Sequence, residues 1–495
     1  MNIKRAKNEI KNALRAYLAR DAFGAYRIPP IRQRPILLMG PPGIGKTQIM
    51  EQIAEETGVG LVSYTLTHHT RQSALGLPFI ETVQLGGAER TVTAYTMSEI
   101  IASVYREMER TGTKEGILFL DEINCISETL TPMMLQFLQC KTFGNQRLPD
   151  GWMVVAAGNP PEYNKSVREF DVVTLDRVKR IDVEEDFAVW KEYAYRRGVH
   201  GAILSYLEIR RDHFYRVEAT ADGLQFVTAR GWEDLSELMQ VYETLGLPVD
   251  RQVVGQYLQL PRVAADFANY LQLYEKYRRV YRVEEILDGA WEKVRASELA
   301  DAAFDEKLGV LGLLLARLAD GAREAYRLDR LTDALHQDLV HIREGEKMLG
   351  TLLDEKQAAL TRRRDAGSTD KDALFTAARE AERLAAFQQA LALEKVPKGQ
   401  AFERLKALFQ EDVQARADAA DRMDRQLANV FAFLDAAIPN SQELVLFATE
   451  LTANYFTSWF IQNFGCEAYF AHNKQLLFDD TRQRLLREIG SAEPD

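Results

Sequence analysis

Cysteine is nearly missing from this chain: only Cys125, Cys140 and Cys466 occur among 495 residues. Three scattered thiols provide neither a disulfide framework nor paired zinc-ligand spacing, and they fit a reducing compartment, so a cytoplasmic location is expected. Net positive charge is also missing. A formal charge of -11 argues against a surface built throughout for nucleic acid, although a local basic patch can hide inside that sum. Long apolar runs are lacking too. The best candidate for a membrane span, Leu444 to Phe464, contains Glu450, Asn454, Ser458 and Gln462, and it reads as a buried amphipathic helix instead. There is no fixed-period repeat, which excludes a solenoid reading. The basic stretch from Met1 to Arg20 is interrupted by Glu9 and has no apolar signal core behind it. It reads as an ordinary helix whose Ile10, Leu14 and Leu18 pack on the following domain.

What is present is a folded composition, 46% hydrophobic and 27% charged, in a chain long enough for about two to four domains. From Pro35 to about Val183, short β-rich runs alternate with helical stretches, the pattern of a parallel sheet between helices. The strand candidates are Ile36 to Met39, Leu61 to Leu66, Ile117 to Leu120, Met153 to Ala157 and Val178 to Val183. Leu77 to Val83 and Thr91 to Tyr95 alternate around Gly86-Gly87 like a hairpin, and Lys141 to Gly151 carries breakers for a second one. From Asp186 the β signal fades. Helical stretches such as Val189 to Arg197 and Trp232 to Thr244 suggest a lid. Beyond Ala290, long helices are broken at Asp365 to Asp370, Val396 to Gly399 and Pro439 to Ser441, which predicts a bundle with antiparallel arms. The expected division is an α/β nucleotide-binding domain over 1–185, an α-helical lid over 186–289 and a helical interaction domain over 290–495.

Directly after the first strand comes Gly40-Pro41-Pro42-Gly43-Ile44-Gly45-Lys46-Thr47, and a helix carrying Ile49, Met50 and Ile53 follows. This is G-x-x-x-x-G-K-[ST] in its required context, a P-loop. Glycines let backbone N–H groups curl around an anion, and a helix N-terminus faces it with partial positive charge. Lys46 is expected on the outer phosphates, Thr47 on Mg²⁺, and Gln48 among the phosphate-binding residues. Ile117 to Leu120 ends in Asp121-Glu122, a strand closing on two carboxylates as a Walker B motif does. Asp121 is expected to hold Mg²⁺, and Glu122 to polarise the attacking water.

With Gly158-Asn159-Pro160 added, these motifs resemble an AAA+ ATPase core. The resemblance implies ATP and Mg²⁺ as ligands and ATP hydrolysis as the activity, although the phosphate cradle alone does not separate ATP from GTP. It implies that Asn159 acts as sensor 1, that Arg177 in Leu175-Asp176-Arg177 is an arginine finger reaching a neighbouring subunit, with Arg180 and Arg168 as rivals, and that Arg230 is a sensor 2 residue on a helix capped by Thr228. The two hairpins, Gly158-Asn159-Pro160-Pro161 and Leu175-Asp176-Arg177 resemble MoxR-type AAA+ proteins over about Arg34 to Thr244. That branch implies a chaperone-like remodeller in a ring, expected as a hexamer, working on a protein client or with a von Willebrand factor A domain partner.

His68-His69 has no third ligand at suitable spacing, so polar loop histidines are the simpler reading. A slow nucleotide switch whose helical arms recruit partners is the alternative to a remodeller. A nucleic-acid motor is a third reading, which the net charge opposes.

Overall fold

The structure is a computed structural model that describes residues 1–66, 76–143, 146–163, 167, 170–220, 223–345, 347–365 and 370–472. His68-His69 and Arg168 lie outside the described residues. The chain forms two compact units, one of residues 1–190 with 214–232, the other of 191–213 with 233–495.

The first unit begins with helix α1 (Ile3–Leu18) and strand β1 (Ile36–Met39), followed by α2 (Lys46–Thr57) and β2 (Gly60–Thr65). An exposed hairpin, β3 (Pro78–Leu85) with β4 (Ala88–Tyr95), leads into α3 (Glu99–Thr111) and β5 (Gly116–Asp121). Then come α4 (Thr131–Cys140), the short hairpin β6 (Thr142–Phe143) with β7 (Gln146–Arg147), β8 (Trp152–Gly158), α5 (Val172–Leu175) and β9 (Lys179–Asp182). Five strands form one parallel sheet in the order β2-β5-β8-β1-β9.

Strand side chains alternate between faces, so each strand of a two-sided sheet must be apolar throughout. The burial follows that rule. Leu37, Leu118, Leu120, Val154 and Ala156 join Ile100, Ile101 and Val104 of α3 and Phe137 of α4 on one face. Ile36, Leu38, Ile117, Phe119, Val155 and Ala157 join Ile49, Met50 and Ile53 of α2 on the other. The α1 stripe covers this second face through Ala6, Ile10, Ala13 and Leu14, with Leu18 half-buried beside it. The Lys7 and Lys11 ammonium groups also reach Glu56 of α2.

The segment after Asp186 is not purely helical. Helices α6 (Phe187–Arg197) and α7 (Gly201–Ile209) are followed by a hairpin, β10 (Arg216–Thr220) with β11 (Gly223–Val227). Its five-residue strands alternate only weakly, with exposed Leu224 and half-buried Val217 and Phe226, so periodicity does not reveal them.

The second unit is helical: α8 (Ala229–Leu245, its first turn in the first unit), α9 (Arg251–Tyr257), α10 (Pro261–Tyr281), α11 (Val283–Leu287) and α12 (Lys293–Asp301), then α13 (Phe304–Arg343). After these come α14 (Leu349–Asp365), α15 (Lys371–Leu393), α16 (Ala401–Ala437), α17 (Gln442–Ala453) and α18 (Tyr455–Phe464). The 40-residue α13 and 37-residue α16 pack along each other. Leu331, Leu335, Leu339, Leu353, Leu384, Phe387 and Leu405 tie them to α14 and α15. The single helix expected over Leu444 to Phe464 is two. Asn454 interrupts it because its side chain accepts the N–H groups of Phe456 and Thr457 and starts α18. No described helix is long and apolar enough to cross a membrane.

Candidate nucleotide site

The carboxyl ends of β1, β5 and β8 lie side by side, and open parallel sheets place their ligand sites at that edge. β1 runs into the loop Gly40 to Gly45, which closes on α2 with Gly43 and Gly45 at φ of 73° and 89°, values that residues with a Cβ rarely adopt. Gly45 occupies the N-cap of α2 and makes no side-chain bond to the helix's first N–H groups.

Lys46 is buried. Its Nζ donates to the carbonyls of Gly40 (2.7 Å) and Pro41 (2.8 Å) and to Asn159 Oδ1 (2.8 Å). All three acceptors are neutral. Burial pushes the amine down to about 8, against the pull of Asp121, with Arg230 adding to the lowering and Glu122 opposing it. A buried ammonium whose hydrogen-bond partners are all neutral favours an anion beside it.

The Thr47 hydroxyl donates to Asp121 Oδ2 at 3.0 Å. This pair offers the hard oxygens that would suit Mg²⁺. Among the described residues no group of three or more His, Cys, Asp or Glu is placed to hold a metal ion, and a Mg²⁺ site of this open type requires none. Glu122 is half-buried and adopts φ of 57°. That backbone is costly for a non-glycine residue, and here the Glu122 N–H is tied to Asp121 Oδ1 at 2.9 Å while Ile123 N donates to Ala157 O at 2.9 Å.

Asn159 is held by a residue that sequence reasoning passed over. Asn124, 3% exposed, donates through Nδ2 to the Asn159 carbonyl (2.8 Å) and accepts the Asn159 N–H at Oδ1 (3.3 Å). A Cβ on Gly158 would come within 2.6 Å of Asn124 Oδ1, so the approach requires glycine. The available signal was a polar residue two positions after Glu122.

Arg230 opens α8, where Thr228 Oγ1 accepts the Gly231 N–H at 3.2 Å. A Cβ on Gly43 would lie 3.1 Å from Thr228 and 3.5 Å from the Arg230 Cβ, which sets Arg230 against the loop. Tyr215, for which the sequence carried no signal, donates its hydroxyl to the Pro42 carbonyl at 2.9 Å. Trp232 is fully buried, and its Nε1 donates to Phe214 O. Gln48 sits half-buried in the first turn of α2, next to Gly45.

Lys46, Thr47, Asp121, Glu122, Asn159 and Arg230 are therefore gathered in one place. Arg177 is not among them. β1 and β9 run parallel with Ile36 opposite Lys179, so Arg177, exposed just before β9, lies at the opposite edge of the sheet from the phosphate loop. There its charge adds to the Thr174 hydrogen bonds that hold the Asp171 carboxyl below its usual range. Arg180 pairs with Asp182 on its own strand at 2.8 Å.

Residues 35–178 match the AAA domain of the dynein-related subfamily. The match supports an AAA+ P-loop ATPase, takes in every strand of the five-stranded sheet except β9, and contains Lys46, Asp121, Glu122, Asn159 and Arg177. AAA domains of this kind typically bind nucleotide with Mg²⁺, and AAA+ proteins commonly assemble into rings. No curated protein matches the chain.

Proposed function

We propose that the chain hydrolyses ATP in a MoxR-like ring of subunits in the cytoplasm and uses the cycle to remodel or assemble a protein partner. The observation that carries this reading is the convergence of Lys46, the Thr47–Asp121 pair, Glu122 and Asn159 at one sheet edge. Lys46 and the loop N–H groups bind the phosphates, and Arg230, against the same loop, contacts the outer one. Thr47 and Asp121 would hold Mg²⁺, which would supply charge neutralisation on the phosphate oxygens. Glu122 takes the proton of the attacking water, and Asn159 orients that water through its amide.

The position of Arg177 supports a role outside its own subunit's cradle. A guanidinium at the far sheet edge serves the site of a neighbour when subunits meet head to tail, and such interfaces close into rings. A hexamer, a protein client and a von Willebrand factor A domain partner come to this reading from the MoxR resemblance. The test is phosphate release from ATP by the full chain, with native mass spectrometry of the assembly. Release that requires Mg²⁺, falls away in Thr47→Ala and accompanies a ring is expected. Equal release in EDTA contradicts the reading.

A further inference from the structure

The helical unit contains a cavity of about 420 Å³ with a strongly cationic wall. Arg197, Arg278, Arg317, Arg323, Arg327 and Lys371 line it, and the only carboxylates among its lining residues are Glu243 and Asp320. In a chain whose net charge is -11, that segregation is the reverse of the average surface.

Two of the cations, Arg323 and Arg327, are largely buried and fixed in place. Arg323 and Arg327 share one carboxylate, Asp372: Arg323 donates through Nε (2.8 Å) and Nη2 (3.0 Å), and Arg327 through Nε (2.6 Å). Their planes lie over Phe456 at 5.3 Å and Phe375 at 4.5 Å. At this wall one carboxylate, Asp372, serves two guanidinium groups, and Asp320 acts on Arg323 from the cavity side. Arg317 reaches Glu284 at 2.6 Å and Asp320 at 3.7 Å, Arg278 reaches Glu275 at 3.4 Å and Glu243 at 3.7 Å, and Lys371 reaches Glu237 at 2.8 Å. Of these partner carboxylates, only Glu243 and Asp320 are on the cavity wall. His200 Nε2 also meets Glu243, at 3.1 Å.

We propose that this cavity is a binding site for a compact, multiply phosphorylated small molecule, separate from the phosphate loop. Guanidinium forks match phosphate oxygens in pairs, and preset arginines lose little rotamer freedom on binding. Concave low-dielectric walls strengthen the field of like charges and draw in an anion. The volume suits a small ligand and is too small for a folded partner. The proposal does not depend on the ATPase reading.

The test is isothermal titration calorimetry of the full chain with inorganic tripolyphosphate, in a Lys46→Ala background that weakens the phosphate loop. Single-site binding that weakens with salt is expected. It should weaken about tenfold in Arg323→Gln, which removes a charged donor. Because that substitution also strips Asp372 of a partner, the double variant Arg278→Gln/Arg317→Gln, at half-exposed positions, provides a second test, with circular dichroism to verify the fold. Loss of binding in a folded double variant supports the site. No binding in the Lys46→Ala chain, or binding that neither variant changes, overturns it.

Discussion

Asn124 holds the peptide group of Asn159 from both sides, donating to its carbonyl at 2.8 Å and accepting its N–H at 3.3 Å. The Asn159 side chain is thereby aimed at Lys46 Nζ, 2.8 Å away. The turn after the Walker B strand and the end of the neighbouring strand are locked together by one amide. If Asn159 positions the attacking water, its accuracy depends on this lock.

Asn124→Leu should therefore lower kcat about tenfold or more, since two buried hydrogen bonds are lost without replacement, while ATP affinity changes less than about threefold. Asn124→Asp keeps the acceptor for the Asn159 N–H and should fall between. Steady-state hydrolysis alongside equilibrium binding of a nucleotide analogue separates the two quantities.

ATP binding should weaken at alkaline pH. Burial holds the Lys46 amine at about 8, and the polyphosphate prefers the protonated form. Affinity is therefore full below about pH 8 and declines above it, by up to about tenfold per pH unit. Arginine does not lose its proton in this range, so Lys46→Arg should show no such decline between pH 8 and 9.5, whatever its absolute affinity. Titrations of the two proteins across that range check the sign.

Arg177→Ala should reduce hydrolysis by about a thousandfold or more, the scale of a lost arginine finger. Arg180→Ala should change it little, because an exposed ion pair with Asp182 contributes about 1 kcal/mol or less. If Arg177 acts across an interface, mixing the Arg177→Ala and Glu122→Gln chains should restore some turnover that neither shows alone. No recovery on mixing assigns Arg177 to its own subunit.

In the helical unit, Lys191 lies 2.7 Å from Glu208 and 2.6 Å from Glu450, all three largely buried, with the Tyr195 hydroxyl on Glu450 as well. Lys191→Met removes the cation that Glu208 and Glu450 share, leaving Glu208 with Arg211 and Glu450 with the Tyr195 hydroxyl, and should cost about 3 kcal/mol. Adding Glu450→Gln should recover part of that loss. Thermal unfolding of the single and double variants measures both.

The α/β part was legible because its signals are local. The run Gly40 to Thr47 permits few backbone paths, and the strands Ile36 to Met39 and Ile117 to Leu120 are apolar throughout because both faces are covered. Breakers such as Pro439-Asn440-Ser441 marked helix ends for the same reason. Less legible was anything set by distant packing. The β10–β11 hairpin alternates too weakly to declare itself. Asn454 reads as a polar interruption until its side chain is seen capping α18. Asn124 has no motif of its own, and only the approach of Gly158 shows what it holds. The cationic cavity draws on helices far apart in sequence, so no window of residues displays it.

Glu122, held at φ of 57° beside Asp121, is proposed to activate water for hydrolysis of a bound nucleotide. Single-turnover phosphate release by Glu122→Gln, with ATP binding measured on the same preparation, tests it most directly. The expected result is a loss of about a hundredfold or more in rate, with affinity within about threefold of the unaltered chain. Release within a few-fold of the unaltered rate, with ATP bound normally, would contradict the claim.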